Sequence, residues 1–215
     1  MDKVKVKIWD EYDEVGIGVG TYTDRELFDR YNQGRVLDLG CGRSAFLGSL
    51  PNQEKFGVDA SERAITTAQH NYPGIEFKVA DVAHLPFTDN FFDFVYSLDV
   101  IEHVKDFKPM LAEVKRVLKP GGYLYLQTPN YPAKRGYDFI YWLRGRRPLA
   151  DDYTHVSRFS YWGLKKAVGI YLTVVTVRTR NILLEKRFSN IKRWRLEGKK
   201  LSLILGQKTI VVGQK

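Results

Sequence analysis

The chain has 215 residues, a formal net charge of +9 and a composition that is 44% hydrophobic, which is enough apolar material for one domain with a sizeable core. Since no run of about eighteen apolar residues occurs and the first residues are charged, we expect neither a transmembrane helix nor a secretory signal. The single cysteine, Cys41, excludes an internal disulfide framework and a multi-thiolate metal site within one chain, and it favours a reducing, cytoplasmic setting.

Positive charge is concentrated in the second part of the chain. Residues 1–130 contain 15 Lys and Arg against 20 Asp and Glu, a balance of −5, whereas residues 131–215 contain 19 against 5, a balance of +14. Such an asymmetry indicates either a solvated charged surface or a surface that binds an anionic partner. Both interpretations stay open at this point, and the second would bring an anionic acceptor, RNA or an anionic membrane surface to this half.

Short apolar runs alternate with helical patterns along the first 130 residues. Five strands are predicted, at residues 35–39, 55–59, 75–80, 92–97 and 123–127. Ser61 is placed to cap a helix that should end before Pro73, and an amphipathic helix is predicted over 107–118, stopped by residues 119–122. Strands separated by helices predict a parallel sheet with helices on both faces.

The alternation breaks after Pro129. Residues 130–160 are rich in aromatic and basic side chains without a clear period, which predicts an insertion, and residues 160–169 have the pattern of a capped helix. Two late strands are predicted, at 172–177 and 208–212. Residues 1–33 precede the first strand and predict a helical cap. The expected organisation is therefore a cap at 1–33 and a main domain at 34–215, with a substrate-covering insertion at 130–160.

The most informative local segment is Val36-Leu37-Asp38-Leu39-Gly40-Cys41-Gly42, in which a buried strand ends in two glycines and a helix follows. Glycine lets the backbone pass close to a ligand at positive φ, and the amides of the following helix can receive a negative group. Alone, this loop is also compatible with a tight turn that holds no ligand. Asp59 ends the second strand, where a carboxylate suits ribose hydroxyls, and Asp81 follows the third, next to an apolar residue that suits an adenine face.

Together these segments resemble the class I S-adenosylmethionine-dependent methyltransferases, in the group with a type 11 domain that includes small-molecule and quinone-precursor methyltransferases. The resemblance rests on the glycine segment and on the segments 57–61, 80–87, 92–104 and 118–122, which follow in family order and spacing. It implies a Rossmann-like α/β fold with a seven-stranded, mostly parallel sheet whose last strand is antiparallel. It also implies S-adenosylmethionine as cofactor and S-adenosylhomocysteine as product.

The cofactor-binding residues that the resemblance implies are Asp38, Gly40, Cys41, Gly42, Asp59, Ala60, Asp81, Val82, Ser97 and Leu98. The two glycines would lie under the methionine part of the cofactor, Asp59 would hold the ribose, and Asp81 with its neighbour would hold adenine. The last two residues would lie beside the sulfonium. Ser44 stands where many family members have a third glycine, and we expect its hydroxyl to cap the following helix, with altered packing and retained binding.

Methyl transfer from a sulfonium requires the acceptor to be placed in line and water to be excluded, and a base helps only when the acceptor arrives protonated. The candidate bases are His155 in the insertion, His103 after the fourth strand, and Asp99. For His103 the alternative is a structural or cofactor-shaping role. Carboxylates and histidines together also raise the question of a metal, but their spacing fits no defined ligand pattern, so no metal site is predicted.

The sequence therefore predicts a methyltransferase that acts on a small-molecule or lipid-like acceptor, anionic or aromatic, under a roof of aromatic side chains from 1–33 and 130–160. One alternative is an RNA methyltransferase, suggested by the basic and aromatic run at 191–195, although no RNA-binding module is recognisable. A second is a non-catalytic cofactor-binding module at a membrane surface or partner, suggested by residues 139–147. A nicotinamide-dependent oxidoreductase fits the later motifs less well.

Overall fold

A computed structural model of the protein describes residues 23–131, 133, 135–136, 143, 155–180 and 206–215. The described strands are β1 (Val36–Leu39), β2 (Lys55–Asp59), β3 (Glu76–Val79), β4 (Phe92–Leu98), β5 (Leu118–Pro129), β6 (Thr173–Arg180) and β7 (Lys208–Gln214). The described helices are α1 (Arg25–Tyr31), α2 (Ala45–Gly48), α3 (Glu62–Asn71), α4 (Phe107–Val117) and α5 (Tyr161–Gly169), with a 3₁₀ helix at Ile101–His103.

The seven strands form one sheet in the order β3-β2-β1-β4-β5-β7-β6. The strands from β1 to β5 pair in parallel, and β7 lies between β5 and β6 and runs antiparallel to both. The strand order reverses between β1 and β4, and ligands of open α/β sheets bind beyond the carboxyl ends of the strands at such a switch point. The predicted seven-stranded sheet with an antiparallel last strand is confirmed.

Helices cover both faces of the sheet, as predicted. On one face Met110 and Leu111 of α4 are in the same buried cluster as Val168 of α5. On the other face Phe28 of α1 and Ile65 of α3 belong to a second buried cluster. Because both faces are covered, all four residues of β1 are buried. This explains why three of them are apolar, with Asp38 as the exception.

Side-chain caps set where the helices begin. The Ser61 hydroxyl accepts a hydrogen bond from the amide of Ala64, and the Ser160 hydroxyl accepts one from the amide of Gly163. Each bond satisfies an amide that the first helical turn leaves without a partner. Both caps were predicted, and α3 ends at Asn71, before the proline at position 73, as expected.

Helix α4 ends at Val117, next to the predicted stop, but the predicted start of the fifth strand at residue 123 was wrong, because β5 begins at Leu118 and continues through residues 119–122. Leu118 pairs with Phe92, and the next paired residue, Tyr123, lies opposite Phe94, so the register shifts between them. The extra residues bulge out of the ladder while the strand keeps its partner. Gly121 adopts φ +81 within this bulge. Residues 119–122 thus have the conformational freedom of a turn, but they form a bulge inside a strand.

Two predicted segments fall largely outside the described residues. Of the cap at 1–33, the part from residue 23 onward contains α1, and the rest is not described. Of the insertion at 130–160, the structure describes residue 131, four positions between 133 and 143, and residues 155–160. The boundaries of both segments stay predictions. Within the described ranges, no helix combines the length and the apolarity needed to cross a bilayer.

Phe28 fastens α1 to the sheet. Its side chain is fully buried, and the rings of Phe46, Phe94, Tyr96 and Tyr125 each lie edge-on to it with centroids 5.1 Å away. Edge-to-face contacts of this kind add to the free energy gained by burying the ring. The four neighbours come from α2, β4 and β5, so this one side chain joins the described part of the cap to the centre of the sheet.

Replacing Phe28 with alanine should lower the free energy of unfolding by about 3–5 kcal/mol, because the substitution empties a site enclosed by four rings. Urea unfolding followed by circular dichroism measures the loss. Trp162, which is 56% exposed, supplies a matched aromatic control, and Trp162→Ala should change the free energy by less than about 0.5 kcal/mol. Equal losses in the two variants would show that α1 does not belong to the core.

Candidate active site

The carboxyl ends of β1, β2 and β3 lie side by side at one edge of the sheet. Leu39 of β1 is level with Val58 of β2, and Asp59 is level with Val79 of β3. The glycine loop that follows β1, Asp59 at the end of β2 and Asp81 just after β3 are therefore neighbours along this edge. Asp59 and Asp81 therefore follow neighbouring strands at the same edge, as their positions in the sequence indicated, and their role in cofactor binding stays a prediction.

The glycine loop, residues 40–42, is hydrogen-bonded to β2. The amides of Gly40 and Cys41 both donate to the Val58 carbonyl at 2.9 Å, and the amide of Gly42 donates to Oδ2 of Asp59 at 2.9 Å. Gly40 has φ +84 and Gly42 has φ +49, backbone conformations that glycine adopts without strain. The loop thus holds the half-buried Asp59 carboxylate from one side, while the Ser61 amide donates to Oδ1 at 2.9 Å from the other.

Asp38 lies beneath the loop and not at its surface. It is 5% exposed, and the Tyr96 hydroxyl donates a hydrogen bond to its Oδ2 at 2.7 Å. Burial raises the pKa of Asp38 to about 7, the bond from Tyr96 opposes this shift, and the nearby Asp59 carboxylate adds to it. Cys41 is buried beside it as a free thiol, with a pKa that burial raises well above its ordinary value. Asp38 thus lies below the loop, and Cys41 is the buried residue of the loop itself.

The predicted cap at Ser44 was wrong. Ser44 does precede α2, but its side chain makes no capping hydrogen bond to that helix. Its backbone has φ 61 and ψ 22, in the left-handed region, whereas a residue that caps with its hydroxyl normally has an extended backbone. The position therefore keeps the conformation that a third glycine would adopt, although the residue is a serine that is buried in the loop.

Asp81 and its neighbours form the far end of the edge. Oδ1 of Asp81 accepts a hydrogen bond from the amide of Ala83 at 2.9 Å, so the carboxylate stabilises its own turn. It is half-buried, as is Ala60 after β2, and Val82 packs partly against the core. These residues surround the edge between β2 and β3, where a flat apolar group with polar atoms at its rim would fit.

At the end of β4, the two residues predicted beside a sulfonium are both buried. The Ser97 hydroxyl donates to the Leu39 carbonyl at 2.9 Å, so it ties β4 to β1 inside the sheet and does not point toward a ligand. Leu98 is 8% exposed.

The segment after β4 contacts the glycine loop directly. A Cβ atom added to Gly40 would lie 2.4 Å from Cγ2 of Val100, so any larger residue at position 40 would displace this valine. Asp99 has φ 58, a left-handed conformation that costs a non-glycine residue about 1–2 kcal/mol. Its Oδ2 lies 2.6 Å from Nζ of Lys208, the first residue of β7. A strained residue is thus held by an ion pair next to the loop.

Two of the three predicted base candidates come together beyond Asp99. The rings of His103 and His155 have centroids 4.7 Å apart, and the Tyr131 hydroxyl lies 2.6 Å from Nδ1 of His155. The third residue at this place, Glu102, is 1% exposed, and its Oε2 accepts a hydrogen bond from the Thr128 hydroxyl at 2.8 Å. We call Asp99, Glu102, His103 and His155 the polar cluster.

Charges around Glu102 are only partly balanced. Burial raises the pKa of Glu102 to about 8, the Asp99 carboxylate adds to the shift, and the Lys208 ammonium opposes it. Glu102 and Lys208 were not among the site residues predicted from the sequence. The position of Glu102 next to a candidate histidine could have indicated it, whereas no local pattern marks a lysine on a late strand.

Across the sheet the candidate site has a definite order. Asp81 lies at β3, Asp59 at β2, the glycine loop at β1, and the polar cluster beside β4 and β5. Carboxylates at one end can accept hydrogen bonds from hydroxyl and amino groups, the loop allows close backbone approach, and imidazoles at the other end can bind protons or metal ions. One elongated ligand along β3 to β1 would therefore end beside the polar cluster.

Comparison with known proteins shows what this arrangement resembles. Residues 37–126 match a family model described as a methyltransferase domain. The structure also superposes on a SAM-dependent methyltransferase of Thermotoga maritima, a possible histamine N-methyltransferase, with a TM-score of 0.68, 22% identity and full coverage of both chains. The part of the chain from β1 into β5 is therefore similar to a methyltransferase domain, and the chain shares the fold of a solved SAM-dependent methyltransferase.

Two curated relatives are similar to the same part of the chain. A phthiotriol/phenolphthiotriol dimycocerosates methyltransferase of Mycobacterium ulcerans is 38% identical over 105 residues, which are 46% of this chain and 38% of the relative. A phosphoethanolamine N-methyltransferase of Arabidopsis thaliana is 33% identical over 143 residues, 55% of this chain and 29% of the relative. The chain thus spans less than half the length of these curated relatives.

The ionisation of Asp38 should make the stability of the protein depend on pH. In the folded state the carboxyl keeps its proton up to about pH 7, whereas the unfolded chain releases it near pH 3.8. Because the folded state binds more protons between these values, the contribution of Asp38 to the free energy of unfolding decreases as pH rises through them and is constant above about pH 7.

The substitution Asp38→Asn removes this dependence and keeps an acceptor for the Tyr96 hydroxyl. We compare the free energy of unfolding of the unmodified protein with that of Asp38→Asn at each pH. The difference between the two should fall by on the order of 4 kcal/mol as the pH rises from about 3.8 to about 7. Urea unfolding at several pH values measures it. Asp29→Asn, on the exposed side of α1, controls for loss of a surface carboxylate. A constant difference between the unmodified protein and Asp38→Asn would contradict the prediction.

Proposed function

We propose that this chain transfers the methyl group of S-adenosylmethionine to a small-molecule or lipid-like acceptor. The observation that carries the proposal is the order of groups along one sheet edge: acidic side chains at β3 and β2, a glycine loop at β1 and the polar cluster beside β4 and β5. The first three suit an adenosyl and methionine ligand, and the fourth would then face the methyl group. The match of residues 37–126 to a methyltransferase domain supports the cofactor, and the order of groups along the sheet edge supports the direction in which the cofactor would lie.

The chemistry of the donor set fits the cofactor. Asp59 would accept hydrogen bonds from the ribose hydroxyls, and its orientation is already set by the amides of Gly42 and Ser61. Asp81 and Val82 would hold the adenine amino group and one adenine face. The glycines at positions 40 and 42 would allow the methionine part to approach the backbone. When bound, the cofactor supplies a methyl group that is already activated on a sulfonium.

The remaining tasks of the chain are to orient the acceptor, to exclude water and to handle the acceptor's proton. Orientation alone can lower the barrier by roughly 7–11 kcal/mol. The Asp99 carboxylate is already engaged in an ion pair with Lys208, with 2.6 Å between Oδ2 and Nζ. The histidine pair is therefore the part of the polar cluster that would act on the acceptor, with His155 held in place by Tyr131.

The acceptor class is supported by related proteins and by charge. One relative is named for the methylation of dimycocerosates and another for phosphoethanolamine, a lipid and a small polar molecule respectively. The excess of Lys and Arg after residue 130 would attract an anionic acceptor. We further propose that residues 1–33 and 130–160 cover the acceptor, and that the enzyme works in the cytoplasm, where the free thiol of Cys41 would stay reduced.

The two alternative functions depend on segments outside the described residues. The basic and aromatic run at 191–195, which suggested RNA, is not described, and of residues 139–147, which suggested a membrane surface, only position 143 is. The structure therefore adds no support to either alternative. Both stay as hypotheses from the sequence, and the labelling experiment below separates them from methylation of a small acceptor.

Removing the Asp59 carboxylate should weaken cofactor binding. Two hydrogen bonds from ribose to a charged carboxylate contribute about 1.5–3 kcal/mol each, so Asp59→Ala should bind S-adenosylhomocysteine at least about tenfold more weakly in isothermal titration calorimetry. Asp89→Ala is the matched control, because Asp89 precedes β4 at the opposite edge of the sheet and is mostly exposed. Unchanged affinity in Asp59→Ala, with the fold intact by circular dichroism, would refute the assignment of the cofactor site.

The acceptor can be found by transfer of a labelled methyl group. The protein is incubated with labelled S-adenosylmethionine and a fractionated cell extract, and labelled products are identified by mass spectrometry. We expect label in a small-molecule or lipid fraction, and we expect Asp59→Ala to lose most of it. Label confined to RNA would instead establish the alternative acceptor, and no protein-dependent label in any fraction would favour the non-catalytic module.

A further inference from the structure

The polar cluster contains a set of side chains that could bind a metal ion. Glu102, His103 and His155 each direct one ligand atom to the same place, and these three atoms all lie within 4.8 Å of one another. We propose that Glu102, His103 and His155 bind one divalent transition-metal ion of the zinc type. The prediction from sequence spacing that no metal site exists would then be wrong, because the third ligand comes from a segment distant in sequence.

The donor atoms favour this class of ion. Two imidazoles and one carboxylate are a common ligand set for zinc in sites that keep a position open, and they suit other late first-row metals, whereas magnesium and calcium prefer oxygen ligands alone. Ligand atoms about 2.1 Å from one ion lie about 3–4 Å from each other. Side-chain movements of about 1 Å would therefore bring the three atoms to bonding distance.

The carboxylate of Glu102 supplies a second, independent observation. Its Oε1 is fully buried and has no hydrogen-bond partner among the residues that the structure describes, while Oε2 is bonded to Thr128. A buried carboxylate oxygen without a donor is costly, so such an oxygen calls for a cation or a proton. A metal ion between Glu102 and the two histidines would satisfy it.

The backbone holds the ligands in a fixed arrangement. Glu102 and His103 lie in the 3₁₀ helix, and the segment that carries His155 is bonded to it, because the Ser157 amide donates to the Glu102 carbonyl at 2.9 Å and the Ser157 hydroxyl donates to the Val104 carbonyl at 2.7 Å. A site whose ligands are already ordered requires little rearrangement when the ion binds.

Tyr131 would act as a positioning residue for the site. Its hydroxyl lies 2.6 Å from Nδ1 of His155, and a metal-binding histidine usually donates its second ring N–H to an oxygen in this way. Such a bond would direct Nε2 of His155 to the ion. The two histidines would thus be ligands, and an acceptor oxygen or nitrogen could occupy the open position of the ion, a consequence that rests on the proposed function.

The proposal is tested by measuring metal binding to the untagged 215-residue chain after a chelator has removed any bound metal. Titration calorimetry with ZnCl₂, and the visible absorption of the protein with CoCl₂, should show one saturable site. Glu102→Gln and His155→Ala should each weaken Zn²⁺ binding more than tenfold, and Tyr131→Phe should weaken it about tenfold or more. His70→Ala, on the exposed side of α3, is the matched control and should leave the affinity within about twofold.

Calorimetry with S-adenosylhomocysteine separates the metal-site proposal from the proposed function. The proposed site for S-adenosylhomocysteine lies at the β1 to β3 end of the edge, away from the three metal ligands. Variants that still bind S-adenosylhomocysteine but lose Zn²⁺ are the expected result. Absence of saturable Zn²⁺ and Co²⁺ binding in the unmodified protein would overturn the proposal. So would equal Zn²⁺ affinity in the unmodified protein, Glu102→Gln and His155→Ala, or a site that binds Mg²⁺ in preference to Zn²⁺.

Discussion

The hydrogen bond from the Gly42 amide to the Asp59 carboxylate is the contact on which the candidate site depends. It fastens the loop after β1 to the end of β2, and the bonds from Gly40 and Cys41 to Val58 strengthen the same connection. Because the carboxylate is oriented by two backbone amides, it faces the sheet edge before any ligand arrives. The same loop packs against Val100 in the segment after β4, which leads to the polar cluster.

Most of the sheet could be predicted because its signals are local. β2 was predicted with the same bounds, Lys55–Asp59, that the structure shows, since a short apolar run between polar residues allows few other arrangements. The start of β5 could not be predicted in this way. Proline and glycine at positions 120 and 121 are typical of a turn, and only pairing with β4 shows that the strand continues through a bulge.

The β1 to β3 end of the site could also be predicted more completely from the sequence than the polar cluster. Asp59 and Asp81 could be selected because strand ends in a parallel sheet meet at one edge, a rule that requires no tertiary detail. Asp99, His103 and His155 were selected one by one as candidate bases, but their grouping with Glu102 could not be predicted. The approach of His155 to Glu102 depends on how residues 155–159 pack against the 3₁₀ helix through Ser157. Ser44 shows a third case, in which the residue type suggested a cap and the backbone conformation excluded it.

The pairing of Asp99 with Lys208 links the site to the order in which the chain is synthesised. Residues 36–82, which include the glycine loop and both carboxylates at β2 and β3, leave the ribosome early and can pair among themselves. Lys208 opens the strand that inserts between β5 and β6, so Asp99 lies near Glu102 without this cation until β7 has been made. The β1 to β3 end of the site can therefore assemble during translation before β7 emerges, whereas the polar cluster obtains its cation only when β7 joins the sheet.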